Sequence, residues 1–237
     1  MISLKNKKWV PIVIFILLLI LMSYLPIIPL RLFKIDIGNF SKSMLVLYNF
    51  ICDLGYMIII FFIYRKDIIK DLKDLKNNFI KIFDAAFKYY VVGLILMIVT
   101  NLLIGLFFSS ANANNEEAVR EYINLYPLYM LFSVSIYAPF VEEMLFRKAI
   151  YNCTLPYKQN IFTKYIYVIL SGLIFASLHV VGQSDKLVDY IYIIPYLSLG
   201  VAFALLYYKS KNIFSTIMMH SLHNTVTILL YILVGVR

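Results

Sequence analysis

The stretch YAPFVEEMLFRKAIY, residues 137–151, sets two adjacent carboxylates and a guanidinium inside an otherwise apolar run. A charge at the centre of a membrane helix costs ~2.5–3.5 kcal/mol on insertion scales, so Glu142, Glu143 and Arg147 need partners or water. Glu143 and Arg147 stand i,i+4 with the acid on the N-terminal side, the better order for a local ion pair. Glu142 points ~100° away on a helix and is left seeking a partner elsewhere. The surrounding run extends over residues 124–155, which at ~1.5 Å per residue makes a helix of roughly 45 Å. That exceeds the ~30 Å hydrocarbon core, so the helix must tilt, kink or protrude, and Pro139 offers a kink.

Working outward, the chain of 237 residues is 62% hydrophobic and 15% charged. A soluble domain carries ~25% charge, and a soluble fold of this composition would expose far too much apolar surface. The composition implies one all-α, polytopic transmembrane bundle of seven to eight helices. Residues 1–120 supply its N-terminal helices and residues 121–237 its core. Seven runs approach the ~20 residues of a span, near 9–30, 45–64, 84–108, 124–155, 162–182, 187–208 and 212–235. The first begins with a basic flank but is too long for a secretory signal and lacks a small-x-small cleavage site, so it is read as a helix. Between the second and third runs, Ile68, Leu72, Leu75, Phe79 and Ile82 recur at helical spacing opposite lysines and aspartates. This predicts an interfacial amphipathic helix at about 66–83.

The net charge of +9 sits in short flanks between apolar runs, a topology signal that excludes nucleic acid as partner. With the N-terminus inside, sixteen Lys and Arg fall on inner segments and six on outer ones, which places the C-terminus outside for seven spans. Cys52 and Cys153 give neither a disulfide framework nor a metal spacing and are read as buried apolar thiols. The loop at 109–115 is polar and otherwise unremarked.

All three histidines, His179, His220 and His223, lie in apolar runs. Polar groups in a bundle converge because lipid does not solvate them. His220 and Asn224 share a helix face at i,i+4, as do Phe175 and His179. His223 adjoins Asn224 and is read as supporting or structural. Ser177, Ser221, Thr225 and Thr227 suit ordinary helix packing. A shielded Glu serves as a general base, an imidazole holds or relays a proton, and an amide with a second imidazole donates to an oxyanion. That set fits attack of water on a peptide carbonyl, with no Ser or Cys nucleophile in view. The same Glu142, His179 and His220 also form a set for Zn2+ with one position left for water, so a metal-dependent and a metal-free route both stand open.

The order Glu142-Glu143-x-x-x-Arg147, Phe175-x-x-x-His179, His220-x-x-x-Asn224 resembles the CPBP intramembrane protease family, also called the CAAX-protease and bacteriocin-processing, or Abi, family. The resemblance covers roughly residues 125–230. It implies that Glu142 activates water, His179 is its catalytic partner, and His220 with Asn224 stabilises the oxyanion. Glu143, Arg147 and Phe175 then support. It also implies an intramembrane endopeptidase acting on peptide precursors or membrane proteins, in contact with membrane lipid. Family members commonly have eight helices, and an eighth span would reverse the C-terminal orientation. A non-catalytic immunity or regulatory scaffold is the alternative. A proton-coupled carrier is weakened by the lack of an internal repeat. The Lys-, Ile-, Tyr- and Asn-heavy composition suggests a bacterial multi-pass protein of the cell membrane and disfavours prenylated substrates. One difficulty stands: His179 falls near the outer end of its run and His220 near the inner end of its own, so the fifth run must end deep in the protein, or residues 182–190 must dip inward.

Overall fold

The structure, a computed structural model, describes residues 9–108, 114–155, 160–181 and 187–234. Lys5, Lys7, Lys8, Lys158, Lys186 and Arg237 of the charge count, and residues 109–113 and 182–186 of the expected loops, lie outside them. Among the described residues there is no strand, and the helices, in order, are α1 (Val10–Tyr24), α2 (Ile28–Leu32), α3 (Lys42–Phe107), α4 (Asn114–Leu125), α5 (Pro127–Thr154), α6 (Ile161–Val180), α7 (Ile193–Ser210) and α8 (Ile213–Val234). A 3-10 turn, Leu187–Tyr192, leads into α7. Five of them, α3, α5, α6, α8 and α7 with its leading turn, are long and apolar enough to cross a membrane.

Two expectations change. The first run does not form one span: α1 has 15 residues, Pro26 follows its end, and a five-residue α2 with Pro29 in its first turn comes next. The amphipathic segment at 66–83 does not stand apart either. It lies at the middle of α3, where two helical pieces, one carrying the second apolar run and the other the third, meet at a kink. Non-helical torsions at Asn78 (φ −126°, ψ 27°) bend it there. The bend lets Ile68 join a core cluster with Tyr207 and Ile213 while Tyr90 joins another with Leu199, Phe203 and Met219. Of the expected stripe, Ile68 and Ile82 are buried, whereas Leu72 and Phe79 are exposed. Asp71, expected on the polar face, is instead buried and accepts from Ile213 N at 3.0 Å. Asn212 donates to the Asp71 carbonyl at 2.8 Å and to Asp74 Oδ2 at 2.9 Å. Together these contacts fix the start of α8 against the middle of α3.

Lys148 meets Asp67 at 3.1 Å, so the α5 C-terminal end, the middle of α3 and the α7–α8 turn share one end of the bundle. Those are three of the segments assigned by charge to a single side. Further ties cross the apolar layer. Tyr56 donates to the Leu18 carbonyl at 2.7 Å, and Tyr129 donates to Asp53 Oδ2 at 2.9 Å, which gives a buried intramembrane carboxylate its partner. Outward-facing side chains such as Leu106 and Leu128 are 78% and 84% exposed, as lipid contact requires. Cys52 and Cys153 are free and only half-buried.

Close helix packing runs through small residues. A Cβ on Gly93 of α3 would meet Ala202 Cβ of α7 at 2.7 Å, and one on Gly200 of α7 would meet the Gly172 backbone of α6 at 3.1 Å. Near the end of α3, a Cβ on Gly105 meets nothing within 4 Å. Gly93→Ala is therefore expected to lower unfolding stability in detergent by about 1–3 kcal/mol, because neither backbone-anchored carbon yields. Gly105→Ala is expected to be neutral or to stabilise by up to about 1 kcal/mol through helix propensity. Thermal unfolding of the two variants side by side checks this.

Candidate active site

The site is assembled by α5, α6 and α8. Helix α5 is not uniformly α-helical: π turns at Ser133–Tyr137 and Met144–Ala149 bracket an α-helical piece, Ala138–Glu143. The kink expected at Pro139 takes the form of the first π turn. In a π turn the carbonyl of residue i accepts from residue i+5, and Ala138 N–H does bond Ser133 O. For Val134 that donor would be Pro139, which has no N–H. Asn224 of α8 fills the gap, its Nδ2 donating to Val134 O at 2.8 Å. One amide N–H of this expected oxyanion residue is thus committed to the backbone, and one remains.

Glu143 and Arg147 are 0% exposed and form the ion pair their spacing implied, Arg147 Nε to Glu143 Oε2 at 2.9 Å and Nη2 to Oε1 at 3.3 Å. Arg147 also donates from Nη1 to Ser171 Oγ of α6 at 3.1 Å, and Ser171 Oγ donates to the Phe146 carbonyl at 2.6 Å. Glu143 Oε1 meets His220 Nδ1 of α8 at 2.9 Å. Because Arg147 holds Glu143 as a carboxylate, which only accepts, the bond places the His220 proton on Nδ1 and leaves Nε2 as the free atom. The i,i+4 spacing revealed the Arg147 bond. The His220 bond joins residues 77 apart in sequence, and no local signal announced it.

His179 stands one residue before the end of α6 and is fixed the same way, its Nδ1 donating to the Phe175 carbonyl at 2.9 Å. Its ring stacks on Tyr196 of α7 at 4.7 Å and lies 4.5 Å from the Phe175 ring. Phe175 is the wedge of the site: its ring also lies 5.8 Å from His220 and 4.8 Å from the Arg147 guanidinium. Glu142 meets both imidazoles. Its Oε2 is 3.8 Å from His179 Nε2 and 3.8 Å from His220 Nε2, and this buried oxygen has no hydrogen-bond partner among the described residues.

The depth difficulty does not keep the groups apart: His179 and His220 both reach Glu142, and helix α6 ends directly after His179. Residues 182–186, on which the second option depends, lie outside the described residues. His223 turns away from the site, with Nδ1 3.4 Å from Tyr90 OH of α3. Glu142, Glu143, Arg147, Phe175, His179 and His220 are therefore brought together, Asn224 lies one turn beyond His220, and His223 does not join them. A groove of about 620 Å³ between α3, α5 and α8 is lined by Met57, Phe132, Phe140, Ile217, Ser221 and Thr225, and none of the site residues lines it.

Glu142, His179 and His220 are the set a zinc ion would use, with both Nδ1 atoms already held from outside as metal-binding imidazoles require. Among the described residues, however, no three His, Cys, Asp or Glu side chains are grouped closely enough to hold an ion.

Residues 124–226, which span this whole constellation, match the family described as type II CAAX prenyl endopeptidase Rce1-like. Over these residues the chain is similar to the CPBP, or CAAX-protease, family. Among curated proteins it is similar to the "Putative membrane peptidase YdiL" of Bacillus subtilis (strain 168), 27% identical over 146 residues, which are 62% of this chain and 48% of that protein. The alignment thus covers about half of that relative's length. No solved structure matches the chain.

Removing Arg147 leaves Glu143 as an uncompensated buried charge. Arg147→Met is expected to destabilise the protein by about 3–5 kcal/mol. Arg147→Met combined with Glu143→Gln is expected to cost less than the two single changes together, because the pair is coupled. Chemical unfolding of the three variants reads this directly.

Proposed function

We propose that the chain is a membrane peptidase that hydrolyses peptide bonds with a water activated by Glu142. One observation carries the reading: a buried carboxylate oxygen without a hydrogen-bond partner among the described residues sits 3.8 Å from two imidazole Nε2 atoms. That separation suits groups sharing a bridging oxygen better than groups bonding each other directly. In this reading Glu142 takes a proton from the water as its oxygen bonds the peptide carbonyl carbon. His220, once protonated on Nε2 and braced by Glu143 on Nδ1, donates to the carbonyl oxygen as it gains negative charge. The second N–H of Asn224 supplies a further donor. His179 offers Nε2 to hold the water or relay its proton. The proton then passes from Glu142 to the amine as the C–N bond breaks, and Glu142 ends as it began.

The membrane-spanning helices and the family match over residues 124–226 support membrane-associated peptides as substrates, whether segments of membrane proteins or peptide precursors. The family match over residues 124–226 and the name of the similar protein support the reaction class.

The test is Glu142→Gln, which keeps shape and removes the base, and His179→Ala. Membrane and secreted peptides from cells with each variant are compared by mass spectrometry with those from wild type. Each variant is expected to lose wild-type cleavage products by about 10²-fold or more, the usual contribution of a general base, at unchanged melting temperature. Full retention of the products by both variants refutes the reading. So does wild-type biological function restored by Glu142→Gln, which would mark a scaffold.

A further inference from the structure

Away from the catalytic groups, the end of the bundle shared by α5, α6 and α7 holds two lysines with no carboxylate partner among the described residues. Lys164 lies in the first turn of α6, and its ammonium is 5.3 Å from the centre of the Tyr208 ring and 5.8 Å from that of Tyr165. Lys211 follows α7, and its ammonium is 4.1 Å from the same Tyr208 ring and 4.2 Å from that of Tyr151. Two like charges therefore share one aromatic ring. Neighbouring lysines are treated differently: Lys148 pairs with Asp67 and Lys88 with Asp84.

A second observation is independent of charge. Lys211 adopts a left-handed backbone conformation, φ 54° and ψ 22°, at the C-cap of α7. Glycine is the usual residue there because a Cβ is disfavoured in that conformation. A lysine held in a position that suits glycine points to a use for its side chain. That side chain lies over the tyrosine rings and donates to Tyr151 OH at 2.6 Å. Its ammonium has two further N–H groups. Burial without a counter-charge pulls the Lys211 pKa down to about 8, so a bound anion would relieve an existing penalty.

The surroundings define the anion. Tyr151, Tyr165, Tyr167, Tyr207 and Tyr208 gather at the ends of α5, α6 and α7, where tyrosine marks the headgroup level of a bilayer. The basic middle of α3 is tied to the same end through Lys148–Asp67 and Asn212–Asp74. We propose that Lys164 and Lys211, set about Tyr208, bind the phosphate of an anionic phospholipid headgroup in the adjoining leaflet. The site is separate from the hydrolytic groups and does not depend on the peptidase reading.

The test is native mass spectrometry of the full chain released from micelles containing equal amounts of phosphatidylglycerol and phosphatidylcholine with the same acyl chains. The wild type is expected to retain phosphatidylglycerol preferentially. Lys164→Gln with Lys211→Gln is expected to lower that preference roughly thirtyfold, as losing two interfacial lysines implies. Lys209→Gln, at an exposed lysine in the last turn of α7, is expected to leave it unchanged. Lys211→Gly guards against a folding artefact: it is expected to raise the melting temperature by relieving the left-handed residue, yet to lower the lipid preference. Wild-type preference in the double variant overturns the proposal. So does displacement of the lipid by millimolar inorganic phosphate, which would make the ligand a free anion.

Discussion

A carboxylate and a guanidinium with no exposure at all, buried where neither lipid nor water solvates them, have to satisfy each other and everything around them. Glu143 and Arg147 do so by reaching beyond their own helix. Arg147 holds Glu143 on α5 and Ser171 on α6, and Glu143 holds His220 on α8. Replacing a buried ion pair with apolar groups is often neutral for stability, so the pair is better understood as a register device than as a source of net stabilisation. Any sliding or rotation of α5, α6 or α8 against the others would leave a charge unpaired. That requirement gives His220 a single ring orientation and a single bare nitrogen. The Asp71–Asn212 contacts act in the same direction from the start of α8, about two turns before His220.

The backbone contributes through its irregularities. A π turn widens the helix and releases carbonyl groups that a regular α-helix would use internally. Val134 O is taken by Asn224 and Phe146 O by Ser171, so each π turn of α5 is matched by one side chain on another helix. These bonds and the ion pair flank Glu142 on both sides. The short α-helical piece that carries it is thereby clamped at each end, although Glu142 itself takes part in none of the clamps.

Much of this was legible in the sequence for local reasons, and the rest was hidden for non-local ones. Apolar run length gave the helices, and i,i+4 spacing gave the Glu143–Arg147 pair, because both are properties of a single segment. The continuity of α3 was not legible: an amphipathic stretch has the same periodicity whether it lies alone in the interface or joins two apolar runs. Nor was the break after α1, since apolar composition alone does not show that Pro26 ends the helix before a span is complete. Asp71 reads as one more charge on a polar face until Ile213 N, 142 residues later, is brought to it. The second bond of Glu143 and the structural bond of Asn224 were invisible for the same reason. The sequence identified which residues are too polar for lipid, and only the fold shows which of them restrain the others.

That division separates the two adjacent glutamates chemically. Glu143 spends its acceptor capacity on Arg147 and His220 and is rigid, fully enclosed and unavailable. Glu142, one residue earlier, keeps partial exposure, at 21% of its side chain, and an oxygen without a hydrogen-bond partner among the described residues. Natural folds leave a buried polar atom unsatisfied rarely, and such exceptions call for an explanation in use rather than in stability. Here the groups around the exception are the most fully restrained in the bundle: His220 held by a carboxylate, His179 held by a carbonyl and stacked between Phe175 and Tyr196. Preorganised groups aimed at one unsatisfied oxygen give a polar site whose orientation is settled before any ligand arrives, so that binding need not supply the energy of assembling it.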